Sequence, residues 1–392
     1  MERNGPRRYG LGDASPAPRA PLFLFSLGNL VIGTGAFILA GILGNIRADL
    51  GVGVAATGQA MTAYAIATAL IAPVLLVITG KLSRKQAIAI ALVLFASGNF
   101  ICAMAGQLST LLLGRAVMGA GAMFTPVVAG LAVAGSPAAQ RGKALSIVFL
   151  GISLSYVVGL PMGAWLTSLH GWRLPVQVVG VASVVMLALL VWRVPAGIQS
   201  PGATFRGAPQ LLRQRAVALP LVLTLLYFTA LFTMFGYVGP VLQALGPWSV
   251  AQVSATLLTI GLAGVGGTLV GGWANDRIGP RRTLMVQLVV LALAQSMLPW
   301  ARGSYPLILT VMVAWGAAGF GMMPPQQARL AAASPVQAPL LLSLNASMVY
   351  LGTALGSIVG GAASGWLGFG HVAWAGVPFL VLGFATLLPS RS

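Results

Sequence analysis

Long apolar stretches alternate with short polar ones along this chain, and the length of the apolar stretches decides what they build. A helix needs about 20 apolar residues to cross a hydrocarbon core of about 30 Å. Runs of that length recur from Leu22 to the C-terminus, near 22–44, 57–79, 86–106, 109–133, 143–166, 174–194, 217–240, 251–274, 282–300, 305–328, 339–362 and 371–389. These twelve spans predict an all-α integral membrane protein. The first run exceeds a signal-peptide core of about 7 to 15 residues, so it is read as a retained first helix. Ahead of it, residues 1–21 read as a disordered basic tail with Pro6, Arg7, Arg8, Pro16, Pro18 and Arg19. The longest polar interval carries Pro195, Gly197, Pro201, Gly202, Gly207 and Pro209, which makes 195–216 a linker. It separates two sets of six helices, 22–194 and 217–389, and 390–392 form a short tail.

The bases between the spans fall on one side. If the N-terminus is cytoplasmic, the cytoplasmic segments hold every lysine and arginine except Arg47, Arg173 and Arg302 on the far side and Arg115 within a span. Such an asymmetry places both termini inside. The densest polar interruption is Gly272 to Arg282, a charged turn between the eighth and ninth spans. Gly272 lets two helices approach closely, Gly279-Pro280 forces the turn, and Arg277, Arg281 and Arg282 hold it at the cytoplasmic surface. Asp276 then needs a cationic or helix N-terminal partner, and the start of helix five around Arg141-Gly142-Lys143 supplies both in principle. The turn after helix two, Gly80-Lys81-Leu82-Ser83-Arg84-Lys85, occupies the matching place without an acid. A lopsided cytoplasmic latch is therefore expected.

Composition excludes several classes. Of the 392 residues 58% are hydrophobic and 7% are charged, against about a quarter charged in soluble domains. A net charge of +18 in a soluble domain would suggest nucleic acid, but here the bases orient helices, so no nucleic-acid partner is expected. Cys102 is the only cysteine, which rules out an intrachain disulfide and a thiolate metal site. No HExxH, Walker loop or GxSxG occurs, so neither catalysis nor ATP-driven work is expected, and no cofactor or metal is implied.

The charged turn Gly-x-x-x-Asp-Arg-x-Gly-x-Arg-Arg resembles the loop signature of the major facilitator superfamily. Four further stretches resemble its twelve-helix drug/proton antiporter and arabinose-efflux-like (sugar efflux permease) branch. They are Gly33–Phe37 with Ala48–Val52, Leu113–Gly121 around Arg115, Gly151–Gly163 followed by Gly171-Trp172-Arg173, and Pro324–Arg329 with Asn345–Gly361. The resemblance implies two six-helix bundles, alternating access about a midplane site, a small-molecule solute, a monomer in the lipid bilayer and a bacterial inner membrane. It also implies that helices one, four, seven and ten line the cavity. On these helices Asn29, Thr34, Arg115, Tyr227, Thr229, Thr233, Tyr237, Trp315 and Gln326 are the polar or amphipathic candidates. Thr229, Thr233 and Tyr237 share one helical face, as do Trp315, Gly319, Met322 and Gln326.

Arg115 sits inside helix four, where an arginine at mid-membrane costs at least about 2.5 to 3.5 kcal/mol. Either it faces a wet cavity or polar partner, or it snorkels to the interface. Gly159 and Gly163 around Pro161, and Gly352, Gly356 and Gly360, fall four apart on their helices. That spacing allows close backbone contact, either as static packing or as a seam on which the two halves rock.

One departure bears on mechanism. The related antiporters carry a carboxylate in helix one where this chain has Ala36, and the four acids here, Glu2, Asp13, Asp49 and Asp276, all lie outside the predicted spans. His170 and His371 fall in outer loops, where they read as exposed rather than as proton carriers. A cavity without a carboxylate suits a neutral or anionic solute, such as a sugar, a nucleoside or an uncharged drug, better than a permanent cation. Export is the expected direction. The alternatives are an uncoupled facilitator or exchanger, and a non-transporting sensor on the same fold.

Overall fold

In the computed structural model the described residues are 21–136, 141–194, 212–334 and 338–388. The expected N-terminal tail up to residue 20, most of the linker and the C-terminal tail fall outside them. Each apolar run forms a helix, and no strand occurs among the described residues. The first half holds α1 (Leu22–Leu50), α2 (Val54–Lys81), α3 (Arg84–Ala103) and α4, which runs Leu108–Gly121 and resumes as Phe124–Ala134. It continues with α5, from Arg141–Leu154 through Ser155–Gly159 to Leu160–His170, and α6 (Arg173–Arg193). The second half opens with α7 (Arg215–Phe235, extended by Val238–Leu245), α8 (Val250–Ile278) and α9 (Pro280–Met297). It closes with α10 (Tyr305–Gly321, then Met323–Ala333), α11 (Ala338–Leu367) and α12 (Val377–Ala385).

Eleven of these segments are long and apolar enough to cross a membrane, and the last stretch, Val372–Ala385, is shorter. The run expected at 371–389 begins as a 3-10 turn, Val372–Gly376, and becomes α-helical only where Pro378 sits in the first turn. Proline is preorganised for that position because its missing N–H has no intrahelical acceptor there. Elsewhere the helices outrun the apolar counts. The first continues through Asp49 and stops where Gly51 takes the left-handed conformation, φ 65°.

Two helices contain a wide π turn at equivalent places. Ala67–Ile71 in α2 is followed by Ala72-Pro73, and Ser155–Gly159 in α5 by Leu160-Pro161. A proline inside a helix lacks an N–H and crowds the carbonyl one turn back, and a widened turn accommodates both defects.

The helices sort into two six-helix bundles. In the first, α1 packs on α5 and α3 packs on α4 and α6; in the second, α7 packs on α11 and α8 on α10. Between bundles, α2 meets α11, α5 meets α8, and α1 meets the extension of α7. These contacts gather at the end carrying Arg47, Arg173 and Arg302, the base-poor end. There α8 meets the Ser155–His170 part of α5 but barely touches Arg141–Leu154. Likewise α11 follows α2 along Val54–Ile71 and at most grazes Ala72–Ile78. Among the described residues the bundles are closed at the base-poor end and parted at the base-rich end.

Backbone proximity shows how tight the closed end is. A Cβ added to Gly239 in the α7 extension would stand 2.6 Å from the carbonyl oxygen of Gly41 in α1. One on Gly261 in α8 would stand 2.5 Å from the carbonyl oxygen of Tyr156 in α5. Only glycine lets the two bundles approach this closely.

Candidate functional site

The two bundles meet at the centre through aromatic rings. Tyr156 of α5 lies 4.5 Å from Phe320 of α10, and Phe37 of α1 lies 6.0 Å from Phe232 and 6.4 Å from Phe235 of α7, all between ring centroids. Trp315 stacks on Phe235 at 5.5 Å. Tyr64 of α2 reaches across to Tyr350 of α11, edge to face at 6.4 Å. Tilted and edge-on geometries place ring edges on ring faces, which suits their quadrupoles. Phe37, Tyr156, Phe320 and Tyr350 are half-buried, whereas Tyr64, Phe235 and Trp315 are buried. One buried hydrogen-bond donor in this cluster has no partner, Trp315 Nε1. Tyr156 brings a third hydroxyl-bearing ring from α5, beside those of Tyr64 from α2 and Tyr350 from α11.

Arg115 stands behind Tyr64, its guanidinium carbon 4.5 Å from the ring centroid. It neither snorkels nor faces an open cavity, being 0% exposed. Nη1 donates to the Gly35 carbonyl at 2.7 Å, Nη2 to the Ala36 carbonyl at 2.8 Å and Nε to the Ala60 carbonyl at 3.1 Å. A helical carbonyl has a second lone pair to offer. The small residues Gly35, Ala36 and Ala60 let the planar fork reach that backbone. Alanine at position 36 leaves room for the guanidinium to take up the main chain of α1. These charge-assisted bonds and the ring face offset desolvation.

Most of the other cavity candidates pin helices together. Asn29 donates to the Val148 carbonyl of α5 at 2.9 Å and accepts from Thr125 of α4 at 2.8 Å. In the second bundle Gln326 donates to the Pro220 carbonyl and to Thr224 Oγ1 at 2.9 Å, and Thr224 donates to Asn345 at 2.6 Å. Each bundle thus carries a buried amide–hydroxyl network across its equivalent helices. Tyr227 donates to Ala318 at 2.5 Å, and Tyr237 to Ser357 at 2.8 Å. The Tyr237 ring also crosses to Gly58 of α2, at the closed end. Thr229 and Thr233 bond back to Leu225 and Thr229 within their own helix, both at 2.8 Å. Thr34 is buried against Gly159.

Trp315 is the expected candidate that belongs to the central cluster itself, and Arg115 touches it through Tyr64. Sequence reasoning missed Tyr64, Tyr156 and Tyr350. They are the tyrosines of α2, α5 and α11, helices outside the set expected to line a cavity. A search for tyrosines isolated in otherwise aliphatic spans would have found them.

The glycines expected at a sliding seam pack inside the bundles instead. Gly159 and Gly163 face Thr34 and Ile38 of α1, and Gly352, Gly356 and Gly360 face the Leu225, Thr229 and Thr233 carbonyls of α7. Pro161 follows the π turn of α5. Gly41, Gly44, Gly58, Gly239, Gly261 and Gly361 lie against the opposite bundle.

At the base-rich end, Gly279 turns the chain with φ 81°, and a Cβ added to Gly272 would stand 3.9 Å from Pro324. Asp276 is exposed and accepts from Asn275 at 3.1 Å. Arg277 lies 4.8 Å over the Trp273 ring, Arg281 donates to the Leu387 carbonyl at 2.7 Å, and Arg282 is exposed. The Arg141 side chain, and so its expected contact with Asp276, lies outside the described residues. Among the described residues the only ion pair is at the opposite end, Arg173 to Asp49 at 2.6 Å. There Trp172 also donates to Asp49, at 3.2 Å, and Arg173 to the Ala105 carbonyl at 2.7 Å, which ties α1, α3 and α6.

The sequence model of the Major Facilitator Superfamily matches residues 25–336 and 241–392. The inner membrane transport protein YdhP of Escherichia coli K12 is 32% identical over 381 residues, covering 94% of each chain. The MFS-type transporter YbcL of Bacillus subtilis is 26% identical over 357 residues, covering 91% of each. Solved structures share the fold at 16% identity. A bacterial homolog of the human lysosomal transporter Spinster, inward-facing and occupied, gives a TM-score of 0.79 over 95% of this chain and 97% of that one. A D-xylose–proton symporter gives 0.75 over 94% and 96%, and the human organic anion transporter MFSD10 gives 0.71 over 95% and 100%.

Proposed function

The chain belongs to the major facilitator superfamily, and from that membership and its one-sided seam we propose a secondary transporter that exports a small neutral or anionic solute by alternating access. The observation that carries this reading is the seam: the bundles close through glycines at the base-poor end, meet through rings at the centre and part at the base-rich end. A rocking motion of one bundle against the other about the central rings converts this state into its mirror. With the base-rich end cytoplasmic, as the arginine and lysine asymmetry favours, this is the inward-open state, and both termini lie inside. The E. coli relative is named as an inner membrane protein, which supports the same membrane here.

The solute class follows from the chemistry of the centre. Aromatic faces, phenols and an indole N–H, with no carboxylate among them, suit a sugar, a nucleoside, an uncharged drug or an anion. The arabinose-efflux-like branch fits the motifs around Arg115 and Gly151–Gly163. Asp276 is assigned the cytoplasmic latch, closing on the start of α5 when the base-rich ends approach. The lack of an acid away from the helix ends favours a second reading, an uncoupled facilitator or exchanger.

Uptake and counterflow of radiolabelled pentoses, nucleosides and neutral drugs in proteoliposomes, with and without a pH gradient, test both readings. Gradient-driven accumulation supports a coupled exporter, and exchange indifferent to the gradient supports the facilitator. Binding without flux would turn both down in favour of a sensor.

A further inference from the structure

We propose that the solute is an aromatic organic anion and that its export is electrogenic, the membrane potential acting on the charge of the substrate itself. This rests on the transport reading above. Three observations lead to it. The first is an imbalance of charge: Arg115 is fully buried near the centre and is held by neutral carbonyls and a ring, with no carboxylate beside it. In a low-dielectric interior such a charge favours an anion nearby and disfavours a cation.

The second is an imbalance of hydrogen bonding. Trp315 Nε1 is a donor only, it is buried, and it has no acceptor. Its ring meets Phe320, which meets Tyr156, and the Tyr64 ring that carries the guanidinium meets Tyr350; Tyr156, Phe320 and Tyr350 are half-buried. A flat anion that entered between those rings would offer faces for stacking and an oxygen for the indole N–H.

The third concerns the driving force. The acids of the chain are Glu2, Asp13, Asp49 and Asp276. Asp49 closes α1 at the base-poor rim and Asp276 is exposed at the base-rich rim, while the first two precede Leu22. Neither helical acid lies away from a helix end, so no carboxylate at mid-membrane carries a proton across, and none is needed if the solute bears the charge. Arg115 bonds only to helices of its own bundle and so stays with it as the bundle rocks. Each cycle then moves one net negative charge, and an interior-negative potential drives it outward. A tenfold gradient of a monoanion corresponds to about 60 mV, at roughly 2.3 kcal/mol per charge per 100 mV.

The test uses the full chain in proteoliposomes with radiolabelled p-toluenesulfonate, an aromatic anion that stays charged at every working pH. A potassium diffusion potential of about 60 mV should accumulate it about tenfold on the positive side. Collapsing the potential should release it, and a pH gradient alone should do nothing. Trp315→Phe, which keeps a ring and removes the N–H, should raise KM about tenfold or more, as expected for losing a hydrogen bond to a charged group. Accumulation that follows the pH gradient and ignores the potential overturns the proposal, and so does an absence of sulfonate flux. Counterflow of pentose or nucleoside in the same vesicles then decides separately whether the transport reading survives.

Discussion

Replacing Gly239 by alanine should push the protein out of the state described here. The added methyl would stand 2.6 Å from the Gly41 carbonyl oxygen and 3.0 Å from its carbon, where non-bonded carbon contacts prefer about 3.5 to 4.0 Å. Both sides of the clash are backbone, and they belong to opposite bundles. Relief therefore comes from parting the bundles at the base-poor end, at a cost of about 1–3 kcal/mol for the closed seam. That is about a 5- to 150-fold shift towards the opposite state. Spin labels on Lys81→Cys and Arg282→Cys, exposed at the base-rich ends of the two bundles, would report it as a shorter distance; the buried Cys102 needs no replacement. Two controls separate a seam effect from general damage. A methyl on Gly41 meets only the Leu257 side chain, at 3.2 Å, and should change little. One on Gly352 meets the Leu225 carbonyl oxygen of its own bundle at 2.6 Å and should lower stability without moving the labels. An unchanged distance distribution in folded Gly239→Ala would refute the idea that this glycine contact holds the bundles closed.

Further outcomes can be checked in the same preparation. Arg115→Lys replaces a fork that reaches three carbonyls with a single ammonium, and the loss of charged hydrogen bonds should destabilise by about 1.5–3 kcal/mol, read as a lower Tm. Thr224→Val cuts the link between Gln326 and Asn345 and leaves buried amide groups unpaired, a cost of about 1–3 kcal/mol that denaturation in detergent would measure. Asp276→Asn should change the transport rate and the inward/outward population together if the latch assignment is right; a variant that changes neither removes the latch.

The twelve spans were legible because bilayer thickness sets helix length, and the one misjudged run, at the C-terminus, is where a 3-10 turn replaces the first part of the helix. Which neighbour a helix face meets was not legible. Glycines four apart at Gly352, Gly356 and Gly360 reveal a close contact, yet nothing in their spacing says that it is with α7 rather than with the other bundle. Thr229 and Thr233 share a face, as expected, but their hydroxyls bond back to their own helix, the usual local alternative for threonine. The tyrosine cluster escaped for a related reason. Tyr64, Tyr156 and Tyr350 become neighbours only through the docking of α2 on α11 and of α5 on α8, a long-range event with no local trace.

The wide turns at Ala67–Ile71 and Ser155–Gly159 bear on how this sequence can drift. Each holds about one residue more than an ordinary turn. Deleting one residue there would restore the regular period and leave the flanking segments facing as before, whereas the same deletion in a regular turn would rotate the rest of the helix by about 100°, given 3.6 residues per turn. Single-residue length changes within a membrane span, ordinarily confined to loops, have a place to be absorbed at these two turns. An alignment that forbids gaps inside the spans would shift the register of half of each helix.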